Sequence, residues 1–464
     1  MFYCRENELS KLNHRYDDNK FECVVIYGRR RVGKTALIKE FCKNKPVIFY
    51  SALNATSQEN LESLSRAIYE YKNPDLVGGD APIYPSYDAA FQEITELAKE
   101  NRLIFVIDEY PYLAKAEKSI SSRLQHIIDH IWQNSQLFLI LCGSSMSFME
   151  YQVLGYESPL YGRRTAQFKI EALKYREIAS FHPKLTPEQL SLIYGITGGI
   201  PHYINKLSVK SDIDAALLEN LFDTSAYLFE EPENLLKQEL REPAMYNSII
   251  TAIAGGASRS NDISTKVGIE SSKCAKYIQV LLDLGILQKE TPLTEKTGRK
   301  TVYAIKDQFF RFWYRFVPRN MTAITSGRIE KVYDKAVKAY LHEHMGLTFE
   351  EICKEYLLYY ADDLPITLSD IGQWWGSDKT TRKEVQIDIV GKSADNDDYI
   401  IGSCKYRNEK IGVDELELIK HYASVFGKGS KYHYYIFSLG GFTNELMECE
   451  KRGEVRLLTL NELY

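Results

Sequence analysis

The chain has 464 residues, 44% hydrophobic, 26% charged and 12% aromatic, which excludes wholesale disorder and a collagen-like or linker-dominated chain. At about 150 residues per domain this length predicts roughly three domains, large enough to bury cores without disulfide staples. The 58 Lys and Arg against 63 Asp and Glu leave a formal charge of −5, so binding to nucleic acid has to come from local patches.

The opening, MFYCRENELSKL, is charged and has no apolar core, so it does not read as a signal peptide. The most apolar runs, Leu103–Ile107 and Leu137–Cys142, are far shorter than the ~20 residues needed to span a bilayer. Eight cysteines (4, 23, 42, 142, 274, 353, 404, 449) never approach a Cys-x-x-Cys spacing. That pattern predicts reduced thiols, no zinc knuckle and a soluble, cytoplasmic protein without membrane contact.

Residues 22–200 alternate short apolar runs, ECVVIY (22–27), PVIFY (46–50), RLIFVID (102–108) and LFLILCG (137–143), with amphipathic stretches. Continuous apolar strands separated by helices predict an α/β fold with a parallel sheet covered on both faces. Residues 170–240 turn helical, interrupted at TGGIP (197–201). Residues 243–305 read as three helices (Pro243–Ala254, Asn261–Val267, Ser271–Leu284) and a two-stranded ribbon with a polar tip, the pattern of a winged helix-turn-helix. After a helical stretch from about 328, TFEEICKEYLLYY (348–360) places Phe349, Ile352, Cys353, Tyr356, Leu357 and Tyr360 on one stripe. Two strands follow, EVQIDIVGK and DYIIGSCKYR, then a helix at 413–426, the strand YHYYIFS and a short last strand, together a small α/β domain. No internal repeat is present, and the 33 tyrosines form no readable motif.

Gly28-Arg29-Arg30-Arg31-Val32-Gly33-Lys34-Thr35 fits G-x-x-x-x-G-K-[ST] in full, between an apolar strand and the helix that continues from Ala36. Glycines let backbone N–H groups wrap phosphates, and the helix N-terminus adds its positive dipole end. Lys34 is expected to reach the β and γ phosphates of ATP, and Thr35 to ligate magnesium. Arg29, Arg30 and Arg31 fill the variable positions, as phosphate or partner contacts or as a solvated basic run. Downstream, the strand Leu103–Ile107 ends in Asp108 and Glu109. Such a strand end places Asp108 beside the metal and Glu109 where it can polarise the attacking water.

With these two signatures, residues 1–205 resemble the AAA+/STAND branch of P-loop ATPases, and more narrowly its origin-recognition-related archaeal and bacterial members. Phe2-x-x-Arg5-Glu6-x-Glu8-Leu9-x-x-Leu12 looks like that family's N-terminal box. The resemblance implies a γ-phosphate sensor at Ser144 and an arginine finger at Arg163 or Arg164. It also implies a G-x-P element near the base at Gly199-Ile200-Pro201.

Segment 255–305 carries eight basic residues against five acids. Lys273 and Lys276 on the third helix, with Lys296, Arg299 and Lys300 in the wing, are expected to meet duplex DNA phosphates weakly and without sequence preference. The other reading of this segment is contact with protein, including a second copy of the chain.

Residues 320–460 resemble the PD-(D/E)xK endonuclease-like domain that follows such ATPases, including its Gly372-Gln373-Trp374-Trp375 segment before the acidic strand. The resemblance implies Asp388 and Lys405 as site residues, with Glu350, or Glu351 beside it, at the start of the core helix. Ser403 stands where the family has a second carboxylate, which predicts a degenerate nuclease. Trp374 and Trp375 read as core and rim packing more readily than as a base-stacking pair. The sequence thus predicts an ATPase domain with helical lid (1–240), a winged helix (241–320) and a nuclease-like domain (321–464). Together they would form an ATP- and magnesium-dependent switch acting on DNA. An ATP-gated nuclease and a non-catalytic ATP-binding adaptor are the alternatives.

Overall fold

A computed structural model describes residues 2–76, 81–207, 209, 212–295, 298 and 300–464. It divides into two compact units, 1–172 and 173–464. The boundaries expected at 240 and 320 fall inside the second.

The first unit is built on β1 (Glu22–Tyr27), β2 (Val47–Ser51), β3 (Ile104–Asp108), β4 (Phe138–Gly143) and β5 (Ala166–Lys169). All pair in parallel, in the order β2-β3-β4-β1-β5. Strands β1, β3 and β4 are buried along their whole length, which explains their unbroken apolar sequences. Alternate residues face opposite layers. Val24, Ile26, Ile104, Val106 and Ile140 pack with Leu12 of α1 (Glu6–Asp17) and Leu37, Ile38 and Phe41 of α2 (Lys34–Phe41). Val25, Phe105, Ile107, Leu139 and Leu141 face the other layer, covered by helices Ser57–Lys72, Tyr87–Glu100 and Ile120–His130. Each fully buried Leu, Ile or Phe contributes about 1.5–3 kcal/mol, so this double cover holds the sheet rigid. The order β3-β4-β1 also sets three chain exits side by side at the C-terminal edge, where ligands of open α/β sheets bind.

The second unit opens with short helices, among them Pro187–Thr197, Pro201–Leu207 and Glu231–Glu239. Gly198 and Gly199 precede Pro201 with φ of +61° and +68°; a Cβ on Gly199 would lie 1.9 Å from the Leu173 carbonyl oxygen, so only glycine fits. Then come α3 (Pro243–Ala254), α4 (Ser260–Val267), α5 (Ser271–Asp283) and the antiparallel ribbon β6 (Leu287–Glu290) and β7 (Val302–Ile305). Next, α6 (Gln308–Phe316) sets one polar stripe of Gln308, Arg311 and Arg315 against a broad buried aromatic face. Phe309 meets the Tyr203 ring at 4.5 Å, Trp313 Nε1 donates to the Phe229 carbonyl at 2.7 Å, and Arg311 pairs with Glu351 at 3.0 Å. Helix α6 therefore ties the short helices to the C-terminal region, which is why these segments form one unit.

Helix α7 spans Ala339–Tyr359, so Glu350 sits well inside it and not near its start as expected. Gly346 does not interrupt the helix: its cost of about 1 kcal/mol is outweighed by the buried face of Leu341, Met345, Phe349 and Ile352. Five further strands, β8 (Leu368–Ser377), β9 (Glu384–Ser393), β10 (Asp398–Lys405), β11 (Lys431–Ser438) and β12 (Arg456–Thr459), form a mixed sheet in the order β12-β11-β10-β9-β8. Helix α8 (Val413–Phe426) links the parallel pair β10 and β11. The Gly372–Trp375 segment is part of β8 itself. Trp374 is partly buried and packs against the core, its ring 5.4 Å from Phe426. Among the described residues no helix is long and apolar enough to cross a membrane.

Candidate functional site

The phosphate-binding loop leaves β1 and enters α2. Gly28 has φ of +155°, and a Cβ there would lie 2.2 Å from the Ile170 carbonyl oxygen; Gly33, at φ +95°, caps the helix in the left-handed region. Both glycines are thus demanded by the backbone, independently of any ligand. Lys34 is buried, its Nζ donating to the carbonyls of Gly28 and Arg29 at 2.8 Å each. Burial pulls its pKa below the usual lysine value, while Cys142, Glu109 and Asp108 oppose the shift. Arg5, from the N-terminal box, is also buried and donates to the carbonyls of Val32 and Glu171, so it braces the loop from behind. Arg30 donates to the Tyr112 hydroxyl at 2.6 Å, Arg31 adopts φ of +72°, and Ala36 is exposed on the first turn of α2.

The acids at the end of β3 meet this loop. Thr35 Oγ1 donates to Asp108 Oδ2 at 3.0 Å, and Asp108 Oδ1 accepts the Glu109 backbone N–H at 3.0 Å. Glu109 has φ of +51°, a left-handed conformation uncommon for such a residue and typical of functional sites. Its carboxylate accepts from Ser144 Oγ, just past β4, at 3.0 and 3.2 Å. The structure thus joins Lys34, Thr35, Asp108, Glu109 and Ser144 at one sheet edge. Cys142, which the sequence did not single out, lies beside Asp108; burial first, then that carboxylate, push its thiol well up, so it stays protonated. A hydroxyl and a carboxylate held together in this way are the hard oxygen donors that suit magnesium.

Arg163 takes a different position. Its guanidinium grips Asp129 through a fork of 2.7 and 2.8 Å, while Arg164 donates to the Leu154 carbonyl at 3.3 Å. Pro201 belongs to the second unit, as the first residue of its helix.

In the segment of three helices and ribbon, Lys273 and Lys276 stand exposed on α5, whose apolar side (Cys274, Tyr277, Ile278, Leu281) is buried. Lys300 is exposed; Lys296 and Arg299 lie outside the described residues. Lys266 turns back to the Gly255 carbonyl at 2.9 Å, closing the end of α3.

A second polar cluster gathers around β9 and β10. Asp388 accepts the Cys404 backbone N–H at 3.0 Å. Burial, then the Asp388 charge, push Glu350 up to about 8; the Gln373 amide donates to its carboxylate. Burial raises Asp388 too. Ser403 is buried and donates to Glu415 Oε1 of α8 at 2.7 Å, and Lys405 Nζ lies 3.2 Å from the same oxygen. A carboxylate therefore does stand beside Lys405, but it comes from the helix. Sequence reasoning missed Glu415 because only the β10–α8 packing brings it there. Among the described residues no cluster of three or more His, Cys, Asp or Glu is arranged to hold a metal ion.

Comparison with known proteins agrees with the first site. Residues 2–207 match a family described as an ATPase domain predominantly from Archaea, and residues 313–417 one described as archaeal and bacterial proteins of unknown function. An uncharacterized protein of Methanocaldococcus jannaschii, MJECL04, is 33% identical over 443 residues, 92% of this chain and 95% of that protein. An uncharacterized ATP-binding protein of Pyrococcus horikoshii, PH0541, is 25% identical over 245 residues, 44% of this chain and 73% of its own length. Among solved structures, the Walker-type ATPase PABY2304 of Pyrococcus abyssi superposes with a TM-score of 0.52 at 20% identity, over 68% of this chain and 96% of that one, and so shares the fold. With its intact phosphate-binding loop and its match to MJECL04 along nearly the whole chain, this protein belongs to the archaeal-type P-loop ATPase family.

Proposed function

We propose that the protein is a magnesium-dependent ATPase that works as a nucleotide-driven switch on DNA. The observation that carries the hydrolytic part is the continuous chain from Thr35 through Asp108 and Glu109 to Ser144. Lys34 and the loop N–H groups hold the β and γ phosphates, and Glu109, aimed by Ser144, orients the attacking water. Thr35 and Asp108 would hold magnesium, which supplies charge neutralisation for the phosphates when bound. Arg163 is the proposed arginine finger, which requires its fork to Asp129 to open. Pro201 is assigned to the nucleotide base by resemblance alone.

The exposed Lys273 and Lys276, in a segment with net positive charge, support the DNA part through weak phosphate contacts. The C-terminal sheet is read as nuclease-like but degenerate, because Ser403 is sealed against Glu415 and leaves no second strand carboxylate. The test is binding of duplex DNA at several salt concentrations, with ATP turnover measured in parallel. Replacing Lys273 and Lys276 with Gln should weaken binding and flatten its salt dependence by about 0.9 log–log unit per lost contact. Unchanged affinity and slope would reject the DNA reading and leave an ATPase with protein partners.

A further inference from the structure

The second unit contains a cavity of about 820 Å³ between the ribbon segment, α6, α7 and the edge of the mixed sheet. Its size lies within the range of pockets that take nucleotide- or drug-sized molecules. Five cations line it: Arg259, Lys300, Arg311, Arg315 and Lys354. Some of that charge is internally balanced, since Arg311 pairs with Glu351 at 3.0 Å and Arg315 with the exposed Glu343 at 3.0 Å. Glu350, which burial pushes up to about 8, favours its neutral form near pH 7. The remaining acids, Glu290, Glu351 and Glu384, are fewer than the cations.

Two buried polar atoms on this wall lack partners. His344 is 1% exposed, held between the rings of Phe312 and Phe316, and its Nε2 has no hydrogen bond. Its other nitrogen donates to the Gly195 carbonyl, and burial with Arg311 and Arg315 nearby keeps the ring neutral. Nε2 is therefore a buried acceptor without a donor in this structure. Arg311 Nε is the converse, a buried donor without an acceptor. Trp375, next to Trp374 on β8, lines the cavity with Tyr303. Together the wall offers guanidinium and ammonium groups for phosphate and flat rings for a base.

We propose that this cavity is a second nucleotide-binding site, separate from the phosphate-binding loop, which takes a phosphate-bearing nucleotide either free or at the end of a single strand. It stands apart from the reading of Lys273 and Lys276 as duplex contacts, and either can fail without the other.

The experiment uses the full chain carrying Lys34→Ala, which silences the loop. AMP, a 5′-phosphorylated single-stranded tetranucleotide and the same tetranucleotide with a 5′-hydroxyl are titrated by calorimetry and by tryptophan fluorescence. One site per chain is expected, with quenching by AMP, by the phosphorylated strand, or by both. AMP alone identifies a free nucleotide, and the phosphorylated strand alone a strand end. Replacing Arg259 and Lys300 together with Gln should weaken binding at least tenfold, and Trp375→Phe should remove the quenching. No binding of either phosphorylated probe, equal binding of the 5′-hydroxyl strand, or affinity and quenching untouched by these variants would each overturn the proposal.

Discussion

Ser144 donates to both carboxylate oxygens of Glu109, at 3.2 and 3.0 Å, across the ends of the neighbouring strands β4 and β3. The family resemblance implies that Ser144 faces the γ phosphate; in the structure it holds the residue proposed to orient water. Ser144→Ala should therefore leave ATP affinity nearly unchanged and slow hydrolysis roughly 10- to 100-fold, as misplaced catalytic groups do. Ser144→Thr should restore much of the rate. The check is ATP binding by calorimetry beside single-turnover hydrolysis, and a large loss of affinity in the alanine variant would return Ser144 to phosphate contact.

Gly28 is constrained by the fold before any nucleotide arrives. A Cβ at this position meets the Ile170 carbonyl oxygen at 2.2 Å, with φ at +155°. Gly28→Ala should cost the first unit about 1–3 kcal/mol through backbone strain and displacement of β5. A lowered thermal midpoint without nucleotide would show this directly. An unshifted midpoint with lost ATP binding would mean that the glycine serves the ligand alone.

Glu350 makes the second unit sensitive to alkali. Burial raises its pKa from the ordinary value to about 8, so the folded state holds a proton that the unfolded chain releases near 4.5. Its contribution is fully present below about pH 4.5 and is lost as pH rises through about 8. Between those limits stability should fall by about 1.4 kcal/mol per pH unit for one proton, and the raised Asp388 acts in the same direction. Unfolding midpoints measured from pH 5 to 8 should decline in the wild type and flatten in Glu350→Gln. Parallel slopes in the two proteins would contradict this assignment.

Around β10, Glu415 holds both Ser403 and Lys405. Glu415→Ala should destabilise the protein by about 1–3 kcal/mol, because a buried hydroxyl and a half-buried ammonium lose their acceptor. Ser403→Glu should also destabilise, since it brings a second carboxylate against Glu415. The wild type should not nick supercoiled DNA in magnesium. Nicking that disappears in Asp388→Ala and in Lys405→Ala would replace the degenerate reading with an active nuclease.

What could be read from the sequence is what lies close together along it. The phosphate-binding loop and the acidic end of β3 are each a short continuous segment, and the buried strands announce themselves because both faces of the sheet are covered. Glu415, Arg5 and His344 were not legible in their roles: each acts on residues that only tertiary packing brings near. The run 308–316 does carry a helical pattern, with Gln308, Arg311 and Arg315 on one stripe and aromatics elsewhere, but its partners Tyr203, Phe229 and Glu351 are distant in sequence, so its role in uniting the second unit was not legible. The helical stretch from about 328 and the stripe 348–360 do not show where α7 begins; its buried face runs back continuously to Leu341.

The most direct test compares Lys34→Ala with Glu109→Gln for ATP binding and for single-turnover hydrolysis. Lys34→Ala should lose most ATP affinity, because the phosphate charge loses its principal side-chain partner. Glu109→Gln should retain ATP with near wild-type affinity while hydrolysis slows by roughly a hundredfold or more, since binding rests on the loop and Glu109 on the water. Equal loss of binding in both variants, or hydrolysis at the wild-type rate in Glu109→Gln, would contradict the assignment of this site as the ATPase centre.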